Sequence, residues 1–137
     1  MVKDRAGADS SAYATELAGL ASNLLQQKKW TDAEATVREC LAIRQKKEPD
    51  VWSTFDAQSI LGQALLGQKK YAEAEKLLLS GYEGMEQRAA KIPPKQKKAR
   101  LSEALEPIVQ LYDVTGKKSE ADKWRKKLEE AKKVEAK

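Results

Sequence analysis

The stretch from Leu61 to Leu78, LGQALLGQKKYAEAEKLL, constrains the fold most, because related stretches lie on both sides of it. Tyr71, Ala74 and Leu78 mark this stretch; the upstream copy offers Trp30, Ala33 and Val37, and the downstream copy Lys118, Ala121 and Arg125. The marker alanines are 41 and 47 residues apart (74 − 33 and 121 − 74). Self-similarity at such a period predicts a repeat protein.

Each copy has an apolar stripe, a short polar break with lysines at or near it, and a second stripe that opens on Ala-Glu or Ala-Asp. Spacings of three and four residues place each stripe on one face of a helix. Ahead of the break the stripes are Leu17, Leu20, Ala21 and Leu24, then Leu61, Gly62 and Leu65, then Leu105, Ile108, Val109 and Tyr112. We expect small Ala21 and Gly62 to face Ala33 and Ala74 across close helix crossings. The pattern predicts three helical hairpins, six helices in all, and no sheet.

Trp30-Thr-Asp-Ala33 and Tyr71-Ala-Glu-Ala74 place an aromatic residue three positions before an alanine at the opening of a second helix. This motif resembles the tetratricopeptide repeat; Lys118-Ser-Glu-Ala121 keeps only the alanine. Because both periods exceed the standard unit of about 34 residues, the chain resembles more closely the long repeats of kinesin light chains. Glu48-Pro49-Asp50-Val51 looks like the inter-repeat turn of that subtype.

The run of copies as a whole, from about Tyr13 to Leu128, resembles the repeat segments that follow the kinase domain in serine/threonine protein kinases of planctomycete-type bacteria. The segments that carry this likeness are Leu41-Ala-Ile-Arg44, Ala57-Gln-Ser-Ile-Leu61 and Glu120-Ala-Asp-Lys-Trp124-Arg125. The resemblance implies an all-α, right-handed α-α superhelix of three hairpins. It also implies a non-catalytic module that binds protein partners, as a segment of a larger bacterial signalling protein.

Helix-capping residues, prolines and glycines divide the chain into a polar lead-in or linker, residues 1–10, and a single array, residues 11–134. The predicted repeat units are residues 11–47, 50–92 and 96–134. Ser10 or Ser11 is expected to cap the first helix, which runs to about Gln27. Thr31, with Glu34 three positions later, is expected to cap the second helix, and Asp50 the third.

Proline and glycine set the later boundaries. Pro93-Pro94 is predicted to end a fourth helix that starts at Ala72, and the fifth is predicted to begin between Gln96 and Leu101 and to end before Gly116. Pro107 lies inside the fifth pattern, so that helix either tolerates a kink or starts late, near Glu106; the stripe on both sides favours the kink. The sixth helix is predicted from Ser119 to about Val134.

The residue inventory disfavours catalysis, metal binding and cofactors. The chain has no histidine, the commonest general base and metal ligand at neutral pH. Cys40, the single cysteine, lies on the inward stripe of the second helix, where we expect a buried thiol. No apolar run approaches the ~20 residues of a membrane helix, and the polar start is unlike a signal peptide. We therefore expect a cytoplasmic protein without an active site.

The family resemblance places ligands in a concave groove lined by the first helix of each hairpin. Offset from the buried stripes, the side chains predicted to face this groove are Thr15, Ala18, Ser22, Asp56, Ser59, Gln63, Glu103, Glu106 and Gln110. None of them is Lys or Arg, so we predict a neutral to acidic groove that binds a basic, extended peptide. The Lys and Asn residues with which some family members clamp a peptide carboxylate are missing.

Two alternatives from other classes remain open. The net charge of +5 is concentrated in residues 91–137, which hold 14 Lys or Arg against 8 Asp or Glu. Lys95, Lys97, Lys98 and Arg100 form a basic patch beside the Pro-Pro turn, which suggests a nucleic-acid- or ribosome-associated protein, although no aromatic residue interleaves them to stack on bases. The module can also serve only for self-association or as a spacer.

Overall fold

The computed structural model describes residues 10–134. Within them the chain forms six α-helices and no strand: α1 Ser11–Gln26, α2 Trp30–Lys47, α3 Trp52–Gly67, α4 Tyr71–Gln87, α5 Pro94–Val114 and α6 Lys118–Val134, with a 3-10 turn, Ala89–Lys91, between α4 and α5. The prediction of an all-α chain with six helices is confirmed. All of the predicted lead-in except Ser10 lies outside the described residues.

Consecutive helices pair into three hairpins, α1–α2, α3–α4 and α5–α6, and the hairpins contact one another through α2–α3 and α4–α5. The first helices also touch, since α3 contacts both α1 and α5. The first helices therefore form one layer of an α-α superhelix and the second helices the other. The core between the layers is built from the predicted stripes except for Leu20, which is 50% exposed, and Ala21, Ala33 and Ala74 are fully buried.

Glycines allow the closest approach between α3 and α4. A Cβ at Gly62 would lie 2.7 Å from Leu78 Cγ, and one at Gly81 would lie 2.8 Å from the backbone nitrogen of Ser59. Gly62 therefore stands at a close helix crossing, as the sequence predicts, but its nearest contact is Leu78 rather than Ala74.

The turns within the three hairpins share one backbone conformation. Lys28, Lys69 and Gly116 have positive φ angles of 60°, 65° and 76°. The next amide in each turn donates to the carbonyl oxygen five positions earlier at 2.9 Å: Lys29 to Leu24, Lys70 to Leu65 and Lys117 to Tyr112. This is a Schellman ending, in which a left-handed residue satisfies the last carbonyls of the first helix. Its recurrence aligns the repeats residue by residue.

The acidic residue after each marker alanine has a recurrent role. Glu34 accepts a hydrogen bond from Gln68 Nε2 at 2.8 Å, and Glu75 accepts one from Tyr112 Oη at 2.7 Å. Each bond joins the second helix of one repeat to the first helix of the next. Asp122, the third residue of this kind, instead accepts from Arg125 in its own helix at 2.8 Å.

Two predicted helix caps are wrong and one is confirmed. Ser10 accepts from the Tyr13 amide at 3.0 Å, as expected. Helix α2 starts one residue before Thr31, directly after the Lys28 turn, and has no side-chain cap. Asp50 is paired with Arg88 at the end of α4, and α3 also lacks a side-chain cap.

The start of α5 differs from the prediction. Pro94 is the first residue of the helix, a position where the missing amide costs no hydrogen bond. Residues 95–100 are therefore helical, and α5 has 21 residues against 16 in α1 and α3. The helix continues through Pro107, so the late-start alternative is wrong.

Candidate functional site

The layer of first helices carries two cavities, which together we call the groove. The Arg44 cavity, of about 370 Å³, lies between the middle of α1 and the N-terminal halves of α3 and α5. The Trp30 cavity, of about 290 Å³, lies between the C-terminal ends of α1 and α3 and the middle of α5. On α3, Ile60 lines the first cavity and Gln63 lines the second, so the facing edges of the two cavities are about one helical turn apart.

The predicted groove residues fall into these two cavities with one exception. Four of them line the Arg44 cavity, namely Thr15, Ala18, Ser22 and Asp56. Another four line the Trp30 cavity, namely Gln63, Glu103, Glu106 and Gln110. The pattern of polar positions on the first helices therefore brings these residues onto one face of the layer.

Ser59 is the exception, and its assignment to the groove is wrong. Its side chain is 1% exposed, because α4 crosses α3 so closely at Gly81 that it covers the backbone of Ser59. Ile60, one position later, lines the groove in its place.

The predicted absence of cations from the groove is also wrong, since Arg44 and Arg100 both line the Arg44 cavity. Arg44 reaches in from the last turn of α2, where it continues the inward stripe of Val37 and Leu41. Arg100 lies on α5 because that helix starts earlier than predicted, and it contacts Glu103 at 3.2 Å. The sequence signal for Arg44 is its position seven residues after Val37 and three residues after Leu41. This helical spacing places Arg44 on the inward face of α2 despite its charge.

Arg44 and Asp56 are the charged groups most withdrawn from solvent in the groove. Arg44 is 6% exposed and donates from Nη1 to the Ser53 carbonyl oxygen at 2.9 Å. Burial raises the pKa of Asp56, while the nearby Arg100 and Arg44 guanidinium groups oppose the rise. The cavity thus combines both signs of charge with the partly buried ring of Trp52.

The Trp30 cavity has an apolar floor and an acidic rim. Leu25, Trp30, Leu66 and Pro107 supply apolar surface, and no Lys or Arg is among its lining residues. Glu103 and Glu106 are exposed beside it. This end of the groove keeps the acidic character that the sequence predicts.

The predicted basic patch divides between two faces of α5. Arg100 lies in the groove, whereas Lys95, Lys97 and Lys98 line a third and larger cavity, of about 660 Å³, between the start of α5 and the ends of α4 and α6. The helical conformation of residues 94–100 turns Lys95 and Lys98 about 140° and 160° away from Arg100 around the helix axis, whereas Lys97, about 60° from Arg100, lies between the two faces. The patch is therefore not a single surface.

Cys40 is fully buried, and its thiol donates to the Ala14 carbonyl oxygen at 3.2 Å. Burial raises the pKa of this thiol, which keeps it protonated and weakly nucleophilic. Residues 10–134 hold no cluster of three or more His, Cys, Asp or Glu side chains suited to a metal ion. Over the same residues, no helix is both long and apolar enough to cross a bilayer.

The comparisons with known proteins give one result that bears on this architecture. No curated protein matches the chain. A family model described as tetratricopeptide repeat matches residues 10–87, more than half of the chain. This match spans the first two hairpins, and the turn that joins the two helices of each of them recurs in the third. The chain therefore belongs to the tetratricopeptide repeat family, whose helical hairpins form scaffolds for protein–protein interaction.

Proposed function

We propose that this chain is a non-catalytic interaction module that binds an extended peptide segment of a partner protein along the groove of α1, α3 and α5. The observation that carries the proposal is the pair of cavities on one face of the first-helix layer. Ligand sites are typically concave and largely apolar, with a few polar groups that fix orientation. Both cavities have this composition.

The spacing of the cavities suits a peptide. Asp56 and Gln63 lie seven residues apart on α3, which is about 10 Å along a helix axis. Extended chain covers this distance in about three residues. A short segment can therefore place one side chain in each cavity while its backbone follows α3.

The charges of the two cavities favour different side chains. At the Trp30 cavity, a lysine or arginine of the partner can lay its alkyl stem on Trp30 and Leu66 and direct its charge to Glu103 and Glu106. At the Arg44 cavity, Arg44 and Asp56 favour a polar side chain that both donates and accepts hydrogen bonds. The proposed ligand is thus an extended peptide with a basic residue at one end, rather than a uniformly basic one.

The cellular setting belongs to the same proposal. The periods of 41 and 47 residues support the likeness to the long kinesin-light-chain type of repeat, and the segments 41–44, 57–61 and 120–125 support the likeness to the repeat segments of planctomycete-type serine/threonine kinases. On that basis the module serves a cytoplasmic signalling protein of bacterial type. The module is proposed to bind its protein partner without converting it chemically.

Selection from a random peptide display library, with the immobilised chain as bait, tests the proposal. We expect the selected peptides to share a Lys or Arg, and the double variant Glu103→Lys and Glu106→Lys to bind them about tenfold more weakly at low salt. Glu39→Lys with Glu129→Lys makes the same charge change on the second helices and serves as the matched control. Equal losses in both double variants, or peptides without a basic residue, would contradict the proposed ligand.

A further inference from the structure

A cavity larger than either groove cavity lies outside the groove, on another face of α5. It has about 660 Å³, which is within the range of small-ligand and side-chain pockets. Its wall includes apolar surface from Tyr82, Leu101 and Ala131, and lysines stand around it. It shares no lining residue with either groove cavity. We name it the Lys97 cavity.

The Lys97 cavity exists because α5 is longer than the other first helices. Helix α5 has 21 residues, whereas α1 and α3 have 16. The additional residues at its N-terminal end carry Lys95 and Lys97 into the space between the ends of α4 and α6. The insertion that lengthens the second repeat period therefore supplies part of the wall of this cavity.

Three of the lysines at this cavity lack a carboxylate partner among the described residues. Within the described residues, Lys95, Lys97 and Lys127 form no ion pair; Lys127 Nζ lies 5.6 Å from the centre of the Trp124 ring. Glu86, one of the two carboxylates at the cavity, already accepts a hydrogen bond from Tyr82 Oη at 2.7 Å. The first turn of α5 contains no acidic residue, so the positive end of the helix dipole adds to the lysine charges.

We propose that the Lys97 cavity docks an acidic segment of a partner protein, with one large apolar side chain of that segment inserted between Leu101 and Ala131. Charge complementarity with the lysines selects the acidic residues, and the apolar wall selects the inserted side chain. This second site has the opposite charge preference to the Trp30 cavity. It allows one module to hold two different segments at once.

The observations favour a peptide over a nucleic acid. Single-stranded nucleic acid binds through bases stacked on exposed aromatic rings, but Tyr82 and Trp124 are only 5% and 7% exposed. Since the ring of Tyr82 is nearly buried, the aliphatic side chains of Leu101 and Ala131 supply the accessible apolar surface of the cavity, which suits a leucine-like side chain better than a base.

Fluorescence anisotropy of a short labelled peptide, with aspartates and glutamates around one central leucine, tests the proposal on the full chain. We expect saturable binding that weakens with salt. Lys95→Gln, Lys97→Gln and Lys127→Gln together should weaken it about tenfold at low salt. The same three changes at Lys28, Lys69 and Lys117 keep the net charge of that variant and should weaken binding at most twofold.

Two further comparisons isolate the apolar component. Replacing the central leucine of the peptide by serine, or filling the cavity with Ala131→Trp, should each weaken binding at least severalfold, while Glu103→Lys with Glu106→Lys should not weaken it. The inference is overturned if the two lysine triples lose binding equally, if the serine peptide binds as well as the leucine peptide, or if a labelled oligothymidylate binds more tightly than both.

Discussion

The indole of Trp30 packs against Gly67 so closely that a Cβ at Gly67 would come within 2.2 Å of Trp30 Cδ2. Trp30 opens α2 and Gly67 ends α3, so this contact joins the first repeat to the second. Both residues also line the Trp30 cavity. Trp30, the first aromatic marker of the repeat motif, therefore contributes both to the contact between the two repeats and to the lining of the groove.

Gly67→Ala tests this contact. The added methyl group must displace the indole, which should cost ~1–3 kcal/mol of unfolding free energy and change the tryptophan fluorescence. Gly19→Ala makes the same chemical change inside α1, where nothing lies within 4 Å of the new Cβ. That variant should gain about 0.5–1 kcal/mol. Urea denaturation of both variants measures the difference, and the same sign for both would contradict the packing described.

The left-handed lysines make a second prediction. A residue with a Cβ at positive φ destabilises the folded state by about 1–2 kcal/mol. Glycine avoids this strain, but part of the gain is offset because glycine raises the conformational entropy of the unfolded chain. Lys28→Gly and Lys69→Gly should therefore each stabilise the chain by ~0.5–1 kcal/mol, and Gly116→Lys should destabilise it by a similar amount. Lys29→Gly, one position outside the left-handed site, is the control and should not stabilise. Thermal unfolding of the four variants decides the point.

Leu20 and Leu61 occupy equivalent positions 41 residues apart (61 − 20), yet Leu20 is 50% exposed and Leu61 is 2% exposed. Helix α3 packs against α2, whereas no described helix precedes α1. Leu61→Ala should cost ~2–5 kcal/mol, and Leu20→Ala less than about 1 kcal/mol. A comparable loss at Leu20, measured by the denaturation midpoint, would mean that its side chain is covered.

The inter-repeat bond at Glu34 makes stability depend on pH. Hydrogen bonds from Gln68 Nε2 and Arg38 Nε, each at 2.8 Å, lower the pKa of Glu34. A carboxyl group whose pKa is lower in the folded state contributes stability above its unfolded pKa, and that stability is lost as the pH falls through the folded value. Glu34→Gln should therefore unfold more easily than the parent chain at neutral pH.

The difference between Glu34→Gln and the parent chain should shrink as the pH falls below about 4. Denaturant midpoints measured across this range check it. Glu39→Gln, at an exposed position of the same helix, is the matched control. A difference that stays constant or grows on acidification would assign the stabilisation to a contact other than the ionised carboxylate.

The repeat architecture could be predicted from the sequence because it depends on short-range spacing. The stripes around Leu17, Leu61 and Leu105 locate all three first helices, and the buried markers Ala33, Ala74 and Ala121 locate the second helices. Lysine at the left-handed positions could not be predicted, since it is rarely found there. The helical conformation of residues 94–100 could not be predicted, because a proline that starts a helix and a proline that follows the end of one look alike in sequence.

The groove was less predictable because its lining depends on contacts between helices. Ser59 is withdrawn by the crossing of α4 at Gly81, which no pattern within α3 reveals. Arg44 enters the groove from a second helix, and Arg100 from the segment within which the start of α5 could not be located from the sequence. Predicting the charge of a surface that several helices build therefore requires the register of those helices. The positions of Glu103 and Glu106, by contrast, follow from the pattern of one helix alone.

Mapping the bound peptide tests the central claim most directly. The amide resonances of the isotopically labelled chain are followed by NMR while a library-selected peptide is added. We predict shift changes concentrated on the groove-facing residues of α3 and α5, above all Gln63, Glu103, Glu106 and Gln110. On α2 the changes should be limited to Trp30, Arg44 and their neighbours, and they should be small along α4 and α6. Changes confined to the second helices, or to the Lys97 cavity alone, would contradict the assignment of the groove as the partner-binding surface.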